Sequence, residues 1–550
     1  MQINKADLNR YGTINSRKII RIDYITSQCR FESPHIKGMM DKQRLGVLYD
    51  FDSSFFTRNI NWREIVQRGC GFNYQSQRWI HGFVFTLGSP LRMDGKRYEY
   101  AKNNEFVEKN IKDEIVTINQ PNQPKPPRIF RSGSVKRMRF NPRLIQRTPT
   151  GYVIRFGRGN VPTPVIYRGV LYVSGGQNSN RYYAISAITG RPVWAIRMSD
   201  SGPTSGACFE DKLLFNTYSC TIFIIDIHTG KHVWSKYLEN ILVTSPSVYK
   251  RRVYTIYPSR KFKRSSSEIK PTHVLGCFDL HSGRIIWQKW IDSDVVFAPA
   301  IYNNTIILST YSGIVYAFNA SSGTINFAYR LRATSVPYFY KKKLLFTKRI
   351  DKKEDSIVKE TISLFDLSSL DTEYTGKGLM AGYIDKRVRG KVQGASSLAH
   401  IEPAYVHLGR KSVYDLMSHQ GNRLLVYKNS VYIVSGNNLA AFKADDGSLE
   451  WRITFDKTMK KSNSGTSPVI AGGYIFTATY GGKVYQIDIK KRKVVKMYTT
   501  YGPVINQPLL YKGRLYIPTK NGMLHCINTY NPRVTGWVSW SGNSQRYKLY

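Results

Sequence analysis

The chain has 550 residues, with 82 Lys and Arg against 37 Asp and Glu, a formal net charge of +45 at pH 7. This length suits two to four domains or one large repeat architecture. A composition that is 41% hydrophobic and 22% charged excludes a largely disordered chain. The positive charge therefore sits on a folded surface, where it favours polyanions: nucleic acid, anionic lipid or an acidic polymer.

Residues 1–120 follow no repeat. Leu45–Phe51 and Trp79–Phe85 read as short β or mixed segments, so a small α+β region or an extended arm is expected. The start, Met1 to Asp7, lacks the apolar stretch of a secretory signal, and Asp7 and Asp23 count against an organelle presequence. Apolar runs such as Val165–Val173 are strand-sized, so no transmembrane helix is expected. The expected setting is intracellular and not secreted, with an organelle matrix or a virion as examples. Residues 121–150 are Pro-rich at Pro121, Pro124, Pro126 and Pro127, the composition of a stiff, extended linker. From Lys125 onward they carry Arg128, Arg131, Lys136, Arg137, Arg139, Arg143 and Arg147, with no acid between.

From Val161 the sequence repeats. Val165–Tyr167 and Val170–Val173 read as two strands around a turn, and Tyr182–Ser186 reads as a third. Thr189-Gly190 then turns into a fourth strand holding Trp194. The unit recurs as Asp226…Gly230…Trp234, Asp279…Gly283…Trp287, Asn319…Gly323…Phe327 and Asp445…Gly447…Trp451. A last copy runs from Ile527 through Gly536 to Trp540, and degraded copies centre on Asp366 and Asp488. One four-stranded sheet cannot cover both of its faces, whereas eight arranged radially can. An all-β, eight-bladed propeller is expected over 151–540, preceded by a basic extension of mixed or irregular structure. Residues 541–550 are a tail. Trp194, Trp234, Trp287, Trp451 and Trp540 are expected to dock between blades. Ring closure needs the chain ends tied, either by a strand at 151–156 or by 536–540.

The run Ala184…Thr189-Gly190…Trp194, with its copies in register, resembles the repeat of the PQQ-like, quinoprotein-type propellers. The resemblance covers most of the chain beyond residue 160. It implies the fold and tryptophan docking, and by itself neither cofactor nor activity.

A basic insertion is expected at 375–419, with Lys386, Arg387, Arg389 and Lys391. Quinone chemistry in proteins of this resemblance calls for a stacked quinone, a calcium site and a carboxylate base. Many such dehydrogenases also carry an adjacent cysteine pair. Cys29, Cys70, Cys208, Cys220, Cys277 and Cys526 include no such pair and no CxxC, so buried, reduced thiols are expected. The repeat aspartates and the turn residues His228 and His281 read as structural. No catalytic, cofactor-binding or metal-binding residue is assigned, and a non-enzymatic chain is expected. The leading functional expectation is a scaffold in a large assembly, with protein partners, that binds nucleic acid or another polyanion. The contacts are expected from Lys125, Arg128, Arg131, Lys136, Arg137, Arg139, Arg143 and Arg147, with Lys386, Arg387, Arg389 and Lys391. The alternatives are an outer-membrane assembly-type propeller scaffold and a quinone-dependent dehydrogenase.

Overall fold

In the computed structural model the described residues cover most of 114–350 and 424–536, with strands also at 91–93, 96–100, 106–108, 357–366, 371–375 and 380–383. The chain divides into two units, residues 1–112 with 385–407 and residues 113–384 with 408–550. In the first, Leu91–Met93, Lys96–Tyr100 and Phe106–Glu108 form a three-stranded antiparallel sheet. Leu45–Phe51, Trp79–Phe85 and the cations Lys386, Arg387, Arg389 and Lys391 lie outside the described residues.

The second unit is an all-β propeller of eight blades. Each blade is an antiparallel meander of strands A to D. Blade 1 runs through Val165–Tyr167, Val170–Ser174, Arg181–Ser186 and Pro192–Met198. The A strand of blade 2, Ala207–Phe209, touches those of the blades on either side, which puts the A strands innermost and the D strands at the periphery. The C strands are covered by neighbours on both faces. Thr221–Asp226 of blade 2 is accordingly buried at all but its last residue, the near-continuous apolar pattern of a two-sided core strand.

The D-strand tryptophans dock blade on blade. A Cβ placed on Gly230, Gly283 or Gly323 would fall 3.1, 2.7 or 2.6 Å from Cδ2 of Trp194, Trp234 or Trp287 respectively. Each indole therefore lies flat on the C–D turn of the following blade, and only a glycine leaves room for it. The indole N–H donates to a carbonyl of the same turn. Trp194 Nε1 reaches Ile227 O at 2.7 Å, Trp234 Nε1 reaches Leu280 O at 2.8 Å and Trp287 Nε1 reaches Ala320 O at 3.2 Å. All three side chains are buried. Trp451 is only half-buried, because Arg492 of the next blade stands where the other indoles meet glycine.

Closure comes from the N-terminal side. Gly151–Arg155 pairs with Met523–Asn528 and is the fourth strand of blade 8. Tyr152 fills the docking position there: it packs 3.0 Å from the Cβ site of Gly190, and its hydroxyl donates to Ala187 O at 2.7 Å. This corrects the expectation for the last repeat. Gly536 is not the C–D turn of blade 8 but lies against Ile470 O in the first strand of blade 7. Trp540 lies outside the described residues. The spacing Gly536…Trp540 imitates the repeat without occupying its place.

The Pro-rich segment is a strap along blade edges. Glu114–Ile115 pairs with the D strand of blade 4, Arg128–Ile129 with that of blade 2, Val135–Met138 with that of blade 1, and Ile145–Thr148 extends blade 8. At blade 3 a side chain substitutes for a strand. The Gln120 amide donates to Trp290 O at 3.0 Å and accepts from Trp290 N–H at 2.9 Å. Strand addition uses main-chain donors and acceptors, so the segment is held without a core of its own. Its prolines, which lack a donor, fall between the paired stretches. Val116 and Ile118 are buried between blades 3 and 4, and Met138, Phe140, Leu144 and Ile145 pack on the core beside blades 8 and 1.

Toward the axis, polar side chains tie blade to blade. Thr163 Oγ1 donates to Gln507 O at 2.8 Å, Asn216 Nδ2 to Thr244 O at 2.6 Å and Ser247 Oγ to Pro299 O at 2.7 Å. Asp294 is fully buried there. It accepts from Thr244 Oγ1 at 2.9 Å and from the Val295 N–H at 2.8 Å, and burial pushes its carboxyl up to about 7.

Candidate polyanion-binding surface

Strands A and C run in one direction, so the A–B and C–D turns share one rim. Hydrogen bonds join them: Ala187 N–H to Gly169 O, Leu280 N–H to Arg251 O and Ala444 N–H to Asn429 O, all at 2.8–2.9 Å. The A–B turn follows a short hairpin, as in the pairing of Tyr167 with Val170, and its leading residue takes a left-handed φ that favours Asn, Asp and Gly. Blades 2, 4 and 7 place Glu210, Asn303 and Gly472 there. The other five place a cation: Arg168, Lys250, Lys341, Lys428 and Lys512, with φ of 49°, 46°, 44°, 54° and 43°.

Each of these cations folds over the tyrosine before it. The charged group lies 5.1 Å from the Tyr167 ring centre for Arg168, 5.4 Å from Tyr249 for Lys250 and 5.1 Å from Tyr340 for Lys341. The distance is 5.6 Å both from Tyr427 for Lys428 and from Tyr511 for Lys512. These are cation–π distances. Alternation along a strand puts an aromatic either in the core or at the rim. Tyr254 is core, but Tyr249 and Tyr340 are half-buried and Tyr427 is exposed, because they end the A strand at the rim. Lys341 is neutralised by Asp445 at 3.0 Å. Hydrogen bonds from Asn429, Lys341 and Tyr340 hold that carboxyl down at about 2. Arg251, in the same turn as Lys250, pairs with Glu210 at 2.7 Å. Among the described residues no acid pairs with Arg168, Lys250, Lys428 or Lys512.

Of the cations singled out in the sequence, Lys136, Arg137, Arg139, Arg143 and Arg147 are exposed on the strap. Arg147 Nη1 donates to Thr189 O in the C–D turn of blade 1, which brings that end of the strap to the turn rim. Arg128 lies in the strap strand beside blade 2, and Lys125 and Arg131 are outside the described residues. The contact residues expected from the sequence do not include the rim cations Arg168, Lys250, Lys428 and Lys512. Their signal was present in the triplets Tyr167-Arg168-Gly169, Tyr249-Lys250-Arg251, Tyr427-Lys428-Asn429 and Tyr511-Lys512-Gly513, always at the first turn of a blade.

The repeat acids do turn work. Asp226 Oδ1 accepts from the N–H groups of His228 and Thr229, and Asp279 Oδ1 does the same for His281 and Ser282. Cys208, Cys277 and Cys526 are buried free thiols, and burial pushes Cys277 up to about 12 and Cys526 to about 11. Among the described residues no three His, Cys, Asp or Glu side chains converge as a metal site. The sequence has no adjacent cysteine pair.

Blades, docking aromatics and register together define an eight-bladed β-propeller of PQQ-like repeats. The family model described as outer membrane protein assembly factor BamB matches residues 143–236, 178–260 and 435–547. The dehydrogenase subunit of the quinone alcohol dehydrogenase of Gluconacetobacter polyoxogenes is 25% identical over 170 residues, 28% of this chain and 22% of that protein. Its counterpart in Komagataeibacter europaeus is 25% identical over 149 residues, 24% of this chain and 20% of that protein. The chain thus spans about a fifth of the length of these curated relatives. The crystal structure of BamB from Moraxella catarrhalis aligns with 72% of this chain and 99% of its own, at 16% identity and a TM-score of 0.35. The expectation of a non-enzymatic chain is corrected by the curated relatives, which are dehydrogenase subunits and hence enzymes.

Proposed function

We propose that this propeller is a scaffold in a larger assembly and that its turn rim holds a polyanion, nucleic acid first. The carrying observation is the ring of cations at Arg168, Lys250, Lys428 and Lys512, each in a left-handed turn position and stacked on a tyrosine. A backbone conformation suited to Asn or Gly is a poor place to put Lys or Arg for folding alone. A repeated cation beside an aromatic plane suits phosphate and base together. The exposed strap cations Lys136, Arg137, Arg139 and Arg143 extend the field around the periphery. An intracellular ribonucleoprotein or a virion is a setting in which such a scaffold serves.

The test replaces Arg168, Lys250, Lys428 and Lys512 together by Asn, which removes four charges and suits the turns better. Binding to single-stranded RNA is then measured across a salt series. Loss of four phosphate contacts lowers the salt slope by about 3. An unchanged affinity and slope refutes the rim as the contact surface.

A further inference from the structure

Four blades have a fifth strand laid along their D strand by the strap, and blade 3 has Gln120 in that place. The D strand of blade 7, Lys493–Thr499, has no described strand beside it. Its geometry is that of the occupied edges. In blade 1 the Met198 N–H reaches back to Asn180 O at 2.8 Å, and the strap pairs alongside Ala195–Met198. In blade 7 the Thr500 N–H reaches Gly482 O at 2.8 Å, and Tyr498 pairs with Val484. By the alternation of an antiparallel ladder, the amides and carbonyls of Met497 and Thr499 point away from the blade, as those of Ala195 and Arg197 do toward the strap.

The side chains at this edge are not those of a solvated strand. Val494, Val495 and Met497 are 36%, 40% and 50% exposed, and an apolar open edge is a template for strand pairing. Lys490, Lys491, Arg492, Lys493 and Lys496 surround it, all exposed, and among the described residues none is paired with an acid. Two copies of so cationic an edge repel each other. Nucleic acid satisfies the charge but offers no row of peptide groups to complete the ladder.

We infer that the outer edge of blade 7 is a docking site for an extended acidic segment of a partner protein, added as a fifth strand. Its peptide groups pair with Met497 and Thr499, its apolar residues cover Val495 and Met497, and its carboxylates meet Lys493 and Lys496. This is β-strand addition, the mode the chain already uses on itself at four other blades.

The experiment is hydrogen–deuterium exchange on the full chain with a capped seven-residue peptide of alternating glutamate and valine. Saturating peptide should slow exchange at Met497 and Thr499 about tenfold or more. The same peptide N-methylated at alternate amides keeps its charge, loses its ladder, and should give no protection. Met497→Pro removes an outward donor without breaking a bond inside the blade, and should abolish peptide protection of Thr499. The inference is overturned by equal protection from the N-methylated peptide, which would mean charge adhesion alone. It is equally overturned by protection from an RNA oligonucleotide in place of the peptide. Protection already present in the chain alone, whether dependent on protein concentration or not, overturns it too, since the edge would then be filled by a second copy or by the chain's own residues.

Discussion

Tyr152 and Tyr516 donate to the same acceptor, the Ala187 carbonyl, at 2.7 and 2.8 Å. All three residues are buried, and the contact seals blade 8 to blade 1. Changing either tyrosine to phenylalanine leaves the carbonyl one donor, so each single variant loses about 1 kcal/mol. Tyr152→Phe with Tyr516→Phe strips both donors and leaves a buried carbonyl unpaired, which costs roughly 1–3 kcal/mol more. The expected coupling between the two changes is therefore about 1–3 kcal/mol beyond the sum of the singles. Urea unfolding followed by tryptophan fluorescence measures it, compared at constant denaturant slope. Blade 2 supplies an internal control. Trp234 Nε1 is the described donor to Leu280 O, and Leu214 stands where Tyr516 stands in blade 8, so Trp234→Phe orphans its carbonyl in a single step. Strict additivity of the two tyrosine changes would refute the shared-acceptor account of closure.

Gly283→Ala and Gly169→Ala both put a Cβ at positive φ, 69° and 78°, which costs about 1 kcal/mol each. Only the first drives that Cβ into Trp234, at 2.7 Å, while the second meets nothing nearer than 3.9 Å. Gly283→Ala should therefore lose a further 1–3 kcal/mol, roughly, and equal thermal midpoints for the two variants would refute the indole-on-glycine dock. Asp294 has its folded-state pKa raised from 3.8 to about 7. Between those values the folded protein keeps a proton that the unfolded chain has released, so stability falls as pH rises through the window and levels off above it. The full effect is roughly 4 kcal/mol. Asp294→Asn should abolish this part of the slope, and an unchanged difference between variant and parent from pH 4 to 8 would refute it. Deleting the strap stretch 128–138 should leave the four core strands of blades 1 and 2 standing and raise exchange at Ala195, Arg197 and Tyr237, read by hydrogen exchange. Unaltered exchange there would mean the strap adds nothing to those edges.

The eight-fold repeat was legible in the chain because it rests on local chemistry. Alternating apolar residues, a glycine that alone tolerates a positive φ beneath a ring, and an aromatic four residues later recur in register at Gly190, Gly230, Gly283 and Gly323. The candidate ring was present as Tyr-Lys and Tyr-Arg pairs, but nothing local marks a turn cation as one of five on a common rim. That follows only from antiparallel strands returning to the same end of each blade. Non-local pairing decided the rest. Gly536 has the right spacing to Trp540 and sits in the wrong place, because Gly151–Arg155 occupies the edge of blade 8 that it would need. The Pro-rich stretch has the composition of a linker and is a strap, because strand addition draws on peptide groups that every residue carries. Side-chain patterns report which face of a strand is covered. They do not report which edge finds a partner, and here the edges determine closure, the strap and the open flank of blade 7.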